Sequence, residues 1–144
     1  MKRSIVAVVV LIIAVTGIVA CHSSRKTTMR KPLIETNWQL TKVGGISYDP
    51  APGVRKIFIK MGKENRLSGF LGCNNLIGSY KRGPDDRISF MGASTKMFCK
   101  GDAMRYEDAL NKALSDARRY KIDGNRLMLM QDDGNWLAEF RAME

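Results

Sequence analysis

The sequence predicts an α+β domain, a curved antiparallel sheet of about seven to eight strands packed around one helix. Three observations predict it. Short segments of alternating apolar and polar residues recur along the chain, separated by clusters of Gly, Pro, Asn and Asp, which is the strand period of two with turn punctuation. One segment, from Asp102, changes to spacings of three and four. With a single helix available for crossovers, the strands are joined mainly by antiparallel connections.

The first strand, Asn37–Val43, sets Trp38 and Leu40 on one face and Gln39 and Thr41 on the other, until Gly44 and Gly45 interrupt it. A loop follows, marked by Asp49, Pro50, Pro52 and Gly53. Residues 56–61 alternate again, with Ile57, Ile59 and Met61 on one side. Segments 66–72 and 76–81 are short apolar stretches broken by Gly69, Gly72 and Gly78, as at bulges or close backbone approaches. A turn at residues 83–86 leads to 87–91, which groups Ile88 with Phe90, and 94–99 reads as another short extended piece.

The helix opens with Asp102 as its expected N-cap and carries Ala103, Tyr106, Leu110, Ala113, Leu114 and Ala117 as a narrow apolar stripe. Arg118, Arg119 and Lys121 follow at its C-terminal end, where the helix dipole favours positive charge. Residues 120–122, 126–131 and 136–141 then form the last strands, the final two as a hairpin around residues 132–135. In that hairpin Leu127 and Leu129 share a face, as do Trp136, Ala138 and Phe140.

The N-terminus reads as an address. Lys2 and Arg3 precede an apolar run from residue 5 to residue 20, shorter than the roughly 20 residues a spanning helix needs. The run ends in Ile18-Val19-Ala20-Cys21, which resembles the lipobox of bacterial lipoproteins. On that reading residues 1–20 are a signal peptide and Cys21 carries acyl chains such as palmitate. The alternative is an uncleaved anchor, and both readings place the chain in the envelope, tethered to a membrane. His22 rather than Asp after the Cys leans towards the outer membrane, with the domain facing the periplasm. Residues 21–32 then form a lipidated, flexible basic tether, and residues 33–144 form the domain.

Composition narrows the function. The chain has 144 residues, 24 Lys+Arg against 14 Asp+Glu, three Cys and one His. A Ser–His–Asp triad or a multi-His metal site would have to be built on His22 alone, inside the tether, so the sequence leans against an enzyme. Of the nine Met, those in the domain are spread over separate elements; Met97, Met128 and Met130 read as core filler rather than as a copper site. Removing Lys2 and Arg3 with the signal leaves 22 positive against 14 negative side chains, or +8. That charge suits an anionic membrane surface; export and tethering argue against nucleic acid. With Cys21 assigned to lipid, Cys73 and Cys99 remain, and an exported domain most often joins such a pair as a structural disulfide; two free buried thiols are the alternative.

Two motifs carry a family resemblance. Residues 72–80 fit GCN-x-x-x-G-x-Y, with Gly72, Cys73, Asn74 and Tyr80, and residues 95–99 fit T-x-M-x-C, with Thr95, Met97 and Cys99. Together with Trp38 and Glu107 they resemble the META/HslJ domain family over nearly the whole mature chain. The resemblance implies a small α+β domain, frequently an envelope lipoprotein, associated with heat shock and antibiotic tolerance and similar in fold to pilot lipoproteins of secretins. It implies no shared catalytic residues and no cofactor. Gly72 and Gly78 are expected to allow strand curvature, Asn74 to serve a tight bend, and Tyr80 to sit half in the core. The functions this leaves are a non-enzymatic lipoprotein that binds an envelope protein, as pilot, scaffold or stress factor, and a lipid- or glycolipid-binding module with a groove between sheet and helix.

Overall fold

The computed structural model describes residues 29–144. The strands are β1 (Asn37–Val43), β2 (Ile46–Ser47), β3 (Phe58–Met61), β4 (Arg66–Phe70), β5 (Asn75–Arg82), β6 (Ile88–Ser94), β7 (Arg119–Asp123), β8 (Arg126–Met130) and β9 (Trp136–Ala142), with one helix, α1 (Asp102–Asp116), between β6 and β7. All strand pairings are antiparallel, in the order β6-β5-β4-β3-β1-β9-β8-β7, and β2 is a two-residue addition to β1. The sheet curls into a half-barrel, so the expected α+β architecture stands.

Turn chemistry sets the hairpins. The β3–β4 turn carries Glu64 and Asn65, and the β5–β6 turn Asp85 and Asp86, in left-handed conformations; Asn and Asp tolerate these better than other side chains. In both turns an amide from glycine reaches over three residues: Gly62 to the Arg66 carbonyl at 2.7 Å and Gly83 to the Arg87 carbonyl at 3.0 Å. Among the described residues, curling brings the backbones of the two sheet ends together around Arg87 and Arg119. Arg87 bridges Arg119, and the amides of Ile88 and Tyr120 donate to the carbonyls of Arg118 and Asp86, each at 2.9 Å.

The concave face holds the core. Trp38, Leu40, Ile57, Ile59, Leu127 and Phe140 are all but fully buried, and Leu110, Ala113 and Leu114 of α1 close the same cluster. The Trp38 indole N–H donates to the Leu33 carbonyl at 3.1 Å, which satisfies its one polar atom. Among the described residues the buried core side chains run from Leu33 to Phe140. The signal segment, Cys21 and most of the tether lie outside the described residues.

The structure corrects several local expectations. Residues 95–99 form no strand; Ser94 ends β6 and the chain continues as a loop. The helix begins at Asp102 itself, after Gly101, with no side-chain cap. Only Arg118 of the basic trio serves the helix end, where one guanidinium nitrogen donates to the carbonyls of Ser115 and Ala117, both at 2.8 Å. Arg119 and Lys121 belong to β7. Trp136 does not join Ala138 and Phe140 inside: it is 60% exposed, because the β8–β9 register shifts between Leu129 and Met130.

Candidate functional site

The two motifs meet at one end of the half-barrel. The register Phe58↔Phe70, Phe70↔Asn75 and Leu76↔Ser94 puts the start of β3, the β4–β5 connection and the end of β6 side by side. In that connection Gly72 has φ +121°, and a Cβ there would come within 3.0 Å of the Ala103 carbonyl oxygen and 3.2 Å of Ile57 Cδ1. Glycine is required for both reasons: the backbone is left-handed, and α1 lies directly against it. Cys73 is bonded to Cys99 with a Cα–Cα distance of 5.8 Å, closing a loop that contains β5, β6 and residues 95–98.

Asn74 is the hub. It is 2% exposed, and its amide uses every hydrogen-bonding position it has. Nδ2 donates to the Met97 carbonyl at 3.0 Å and to Glu107 Oε1 at 2.8 Å. Oδ1 accepts from the Thr95 hydroxyl at 2.8 Å and from the Met97 amide at 2.7 Å. The side chain thus does for residues 95–97 what a neighbouring strand would do, accepting from one backbone amide and donating to one carbonyl. Glu107 is buried beside it and takes two more donors on Oε2, the amides of Asn74 at 2.8 Å and Cys73 at 3.3 Å. These charge-assisted bonds offset the cost of burying the carboxylate.

The loop so held presents apolar side chains to solvent. Met97 is 61% and Phe98 85% exposed, and the flanking Lys96 and Lys100 are exposed with them. A second basic segment stands alongside: the Arg55 guanidinium donates to Asn75 Oδ1 at 3.1 Å and stacks 3.9 Å over the Phe70 ring, while the Asn75 amide donates to the Thr95 hydroxyl. Ion pairs elsewhere, such as Lys60–Glu35 at 3.1 Å and Arg126–Glu139 at 2.8 Å, neutralise other cations; none engages Lys96 or Lys100 among the described residues. This end of the molecule therefore combines a fixed apolar tip with a positive rim.

Five of the motif residues come together here: Gly72, Cys73, Asn74, Thr95 and Cys99 build the clamp, and Met97 is its cargo. Asn74 lies in the bend at residues 72–74, as expected, but its backbone is not left-handed and its side chain serves the clamp. Met97 is not core filler, although Met61 and Met128 are buried. Tyr80 lies away from the clamp and is 2% exposed rather than half in the core. Its hydroxyl donates to the Gly62 carbonyl at 2.9 Å, and burial pushes its pKa above the usual tyrosine value. At Gly78 strands β5 and β6 lie close together; a Cβ there would overlap the Met91 carbonyl oxygen. Among the described residues no group of three or more His, Cys, Asp and Glu side chains stands ready to hold a metal ion.

A family model described as the META domain matches residues 31–144. The chain belongs to the META domain family. This META domain is also similar to a solved NMR structure of a protein from Burkholderia xenovorans, with 26% identity, a TM-score of 0.61, and coverage of 77% of this chain and 83% of that one. A second NMR structure, 18% identical with a TM-score of 0.57 over 74% of this chain and 88% of that one, shares the fold. No curated protein matches the chain.

Proposed function

We propose that this chain is a non-enzymatic, membrane-tethered envelope lipoprotein whose META domain binds a partner protein through the loop at residues 95–100. The observation that carries the reading is the clamp: a disulfide and a buried Asn–Glu pair are spent on fixing a loop whose two apolar residues, Met97 and Phe98, face solvent. A rigid loop with an apolar centre and a basic rim suits a partner with an apolar slot edged by acidic residues. The position of the tether supports a protein partner over the anchoring bilayer. Lys31 enters beside Gly124, at the opposite end of the strands from the loop, and seven-residue strands separate the two ends by roughly 20 Å. The loop would thus point away from the membrane that Cys21 is proposed to engage, for which the outer membrane, facing the periplasm, is the preferred site. A pilot or stress-related role fits such a lipoprotein.

The lipid-groove alternative has less support. The opening between β6 and α1 measures about 190 Å³, below the range of about 300–1,000 Å³ typical of small-molecule sites. A wider hollow of about 530 Å³ on the outer face is lined by Lys60 and Arg66, which are already paired with Glu35 and Glu64.

A photo-crosslinking amino acid at Phe98 tests the docking reading in cells. A discrete crosslinked species, lost when Met97 is also changed to Ser, is expected; equal crosslinking from a control position on β8 would refute it. Palmitate labelling tests the anchor: label should be incorporated by the native chain and absent from Cys21→Ala.

A further inference from the structure

The segment that leads into the domain forms no strand, yet its backbone is fixed. The Lys31 amide donates to the Gly124 carbonyl and the Glu35 amide to the Met61 carbonyl, both at 2.8 Å. Between them the Pro32 carbonyl accepts from the Thr36 hydroxyl at 2.6 Å and the Leu33 carbonyl from the Trp38 indole at 3.1 Å. Where this segment passes Arg82, at the end of β5, and Tyr120 and Ile122 of β7, it leaves a hollow of about 380 Å³. That volume lies within the range of about 300–1,000 Å³ typical of small-molecule sites.

The lining of the hollow has one chemical character. Leu33 and Ile122 are buried and apolar, whereas the polar side chains, those of Arg30, Lys31, Arg82 and Tyr120, all offer donors. No ion pair among the described residues engages Arg30, Lys31 or Arg82. Burial raises the Tyr120 pKa and Asp86 beside it raises it further, while Arg82 and Arg30 oppose the rise. Both guanidinium groups therefore act on the Tyr120 hydroxyl, which stays protonated at neutral pH. Three cations line the hollow and no acid does, so with Asp86 nearby the balance is still positive. Convergent guanidinium, ammonium and hydroxyl donors over an apolar floor match a phosphate diester on an organic headgroup.

We propose that this hollow binds the phosphate headgroup of an anionic phospholipid in the bilayer that anchors the chain. The choice of a lipid over a free phosphate rests on the anchor reading of Cys21. Nine residues of chain separate Cys21 from Arg30, a reach of at most about 30 Å, so the hollow stays near the headgroups. Tethering raises their effective concentration, and a site with an affinity in the millimolar range is then occupied. The acyl chains remain in the bilayer, so no groove between sheet and helix is needed. With its tether end held in this way, the domain keeps the loop at residues 95–100 directed outward.

The test uses the full chain in dodecyl maltoside micelles, followed by amide NMR while dihexanoyl phosphatidylglycerol, dihexanoyl phosphatidylcholine or sodium phosphate is added. Phosphatidylglycerol should shift the amides of Leu33, Tyr120 and Ile122 and saturate. Phosphatidylcholine, whose ammonium the cations repel, and inorganic phosphate should each act at least about fivefold more weakly. Arg82→Glu removes one charge-assisted contact and should weaken the phosphatidylglycerol response at least about tenfold. Arg105→Glu, which makes the same charge change at an exposed position on α1, should leave it within about twofold. Equal responses to the two lipids, inorganic phosphate binding as tightly as phosphatidylglycerol, shifts absent from the three amides, or equal effects of the two variants would each overturn the proposal. The added lipid reaches the hollow whether or not Cys21 is acylated, so a failure here is distinct from a failure of palmitate labelling.

Discussion

Replacing Asn74 by Asp changes almost no volume and removes the two bonds that its Nδ2 donates. One goes to the Met97 carbonyl at 3.0 Å, a neutral bond worth about 1 kcal/mol. The other goes to Glu107 Oε1 at 2.8 Å, a bond to a carboxylate worth about 1.5–3 kcal/mol. The new oxygen also stands at hydrogen-bond distance from that carboxylate, so repulsion adds to the loss until one of the two groups takes a proton. The expected cost at pH 7 is about 3–5 kcal/mol, a large fraction of a typical domain's stability. The pH dependence gives the variant a signature. The introduced carboxyl holds its proton above the usual carboxylate range in the folded state. The folded protein is therefore favoured at low pH, and that advantage is lost as pH rises through the raised pKa. The deficit relative to native protein should be greatest at pH 7 and smallest below about pH 4. Urea titrations of both proteins across pH 3.5–8, without reductant, measure it. A deficit under about 1 kcal/mol at pH 7, or one that grows on acidification, would refute the account of Asn74 as hub.

Three further outcomes follow from the same structure. Changing Cys73 and Cys99 together to Ser should cost roughly 3.5 kcal/mol on the chain-entropy model for this loop, and reductant should lower native stability to match while leaving the double variant unmoved; chemical denaturation reads both. Gly72→Ala should cost about 1–3 kcal/mol from its left-handed backbone and the contact with the Ala103 carbonyl, seen as a lower urea midpoint. Burial raises the pKa of Tyr48, Tyr80 and Tyr120, so their contribution is complete below the usual tyrosine pKa of about 10 and falls as pH rises beyond it. Tyr80→Phe should make that alkaline decline shallower, as thermal melts between pH 8 and 11 would record.

What could be read from the chain alone was governed by local periodicity. Trp38 and Leu40, Ile57, Ile59 and Met61, and Leu127 with Leu129 alternate as strands do, and all lie in the core. Failures arose where a distant partner decides. Val43 is buried although it breaks the alternation of Trp38 and Leu40, because the β1–β9 register shifts between Leu40 and Lys42. A similar shift turns Trp136 outward. Residues 95–99 have the composition of a strand, but no sheet edge receives them; one side-chain amide takes that place. The clamp did leave a trace in the sequence. Glu107 falls four residues after Ala103 and three before Leu110, on the apolar stripe of α1. A carboxylate on a buried stripe calls for fixed donors, and the motif asparagine was the available candidate.

The central claim is that the clamp fixes the loop at residues 95–100 so that Met97 and Phe98 stand presented. Amide hydrogen exchange by NMR tests it most directly, because the Met97 amide donates to Asn74 Oδ1 at 2.7 Å while no backbone bond among the described residues engages the amides of Lys96 and Phe98. The account predicts that Met97 exchanges at least about a hundredfold more slowly than those neighbours in the native protein, and that Asn74→Ala abolishes the difference. Equal exchange of all three amides in the native protein would show a loop that is not held, and would contradict the claim.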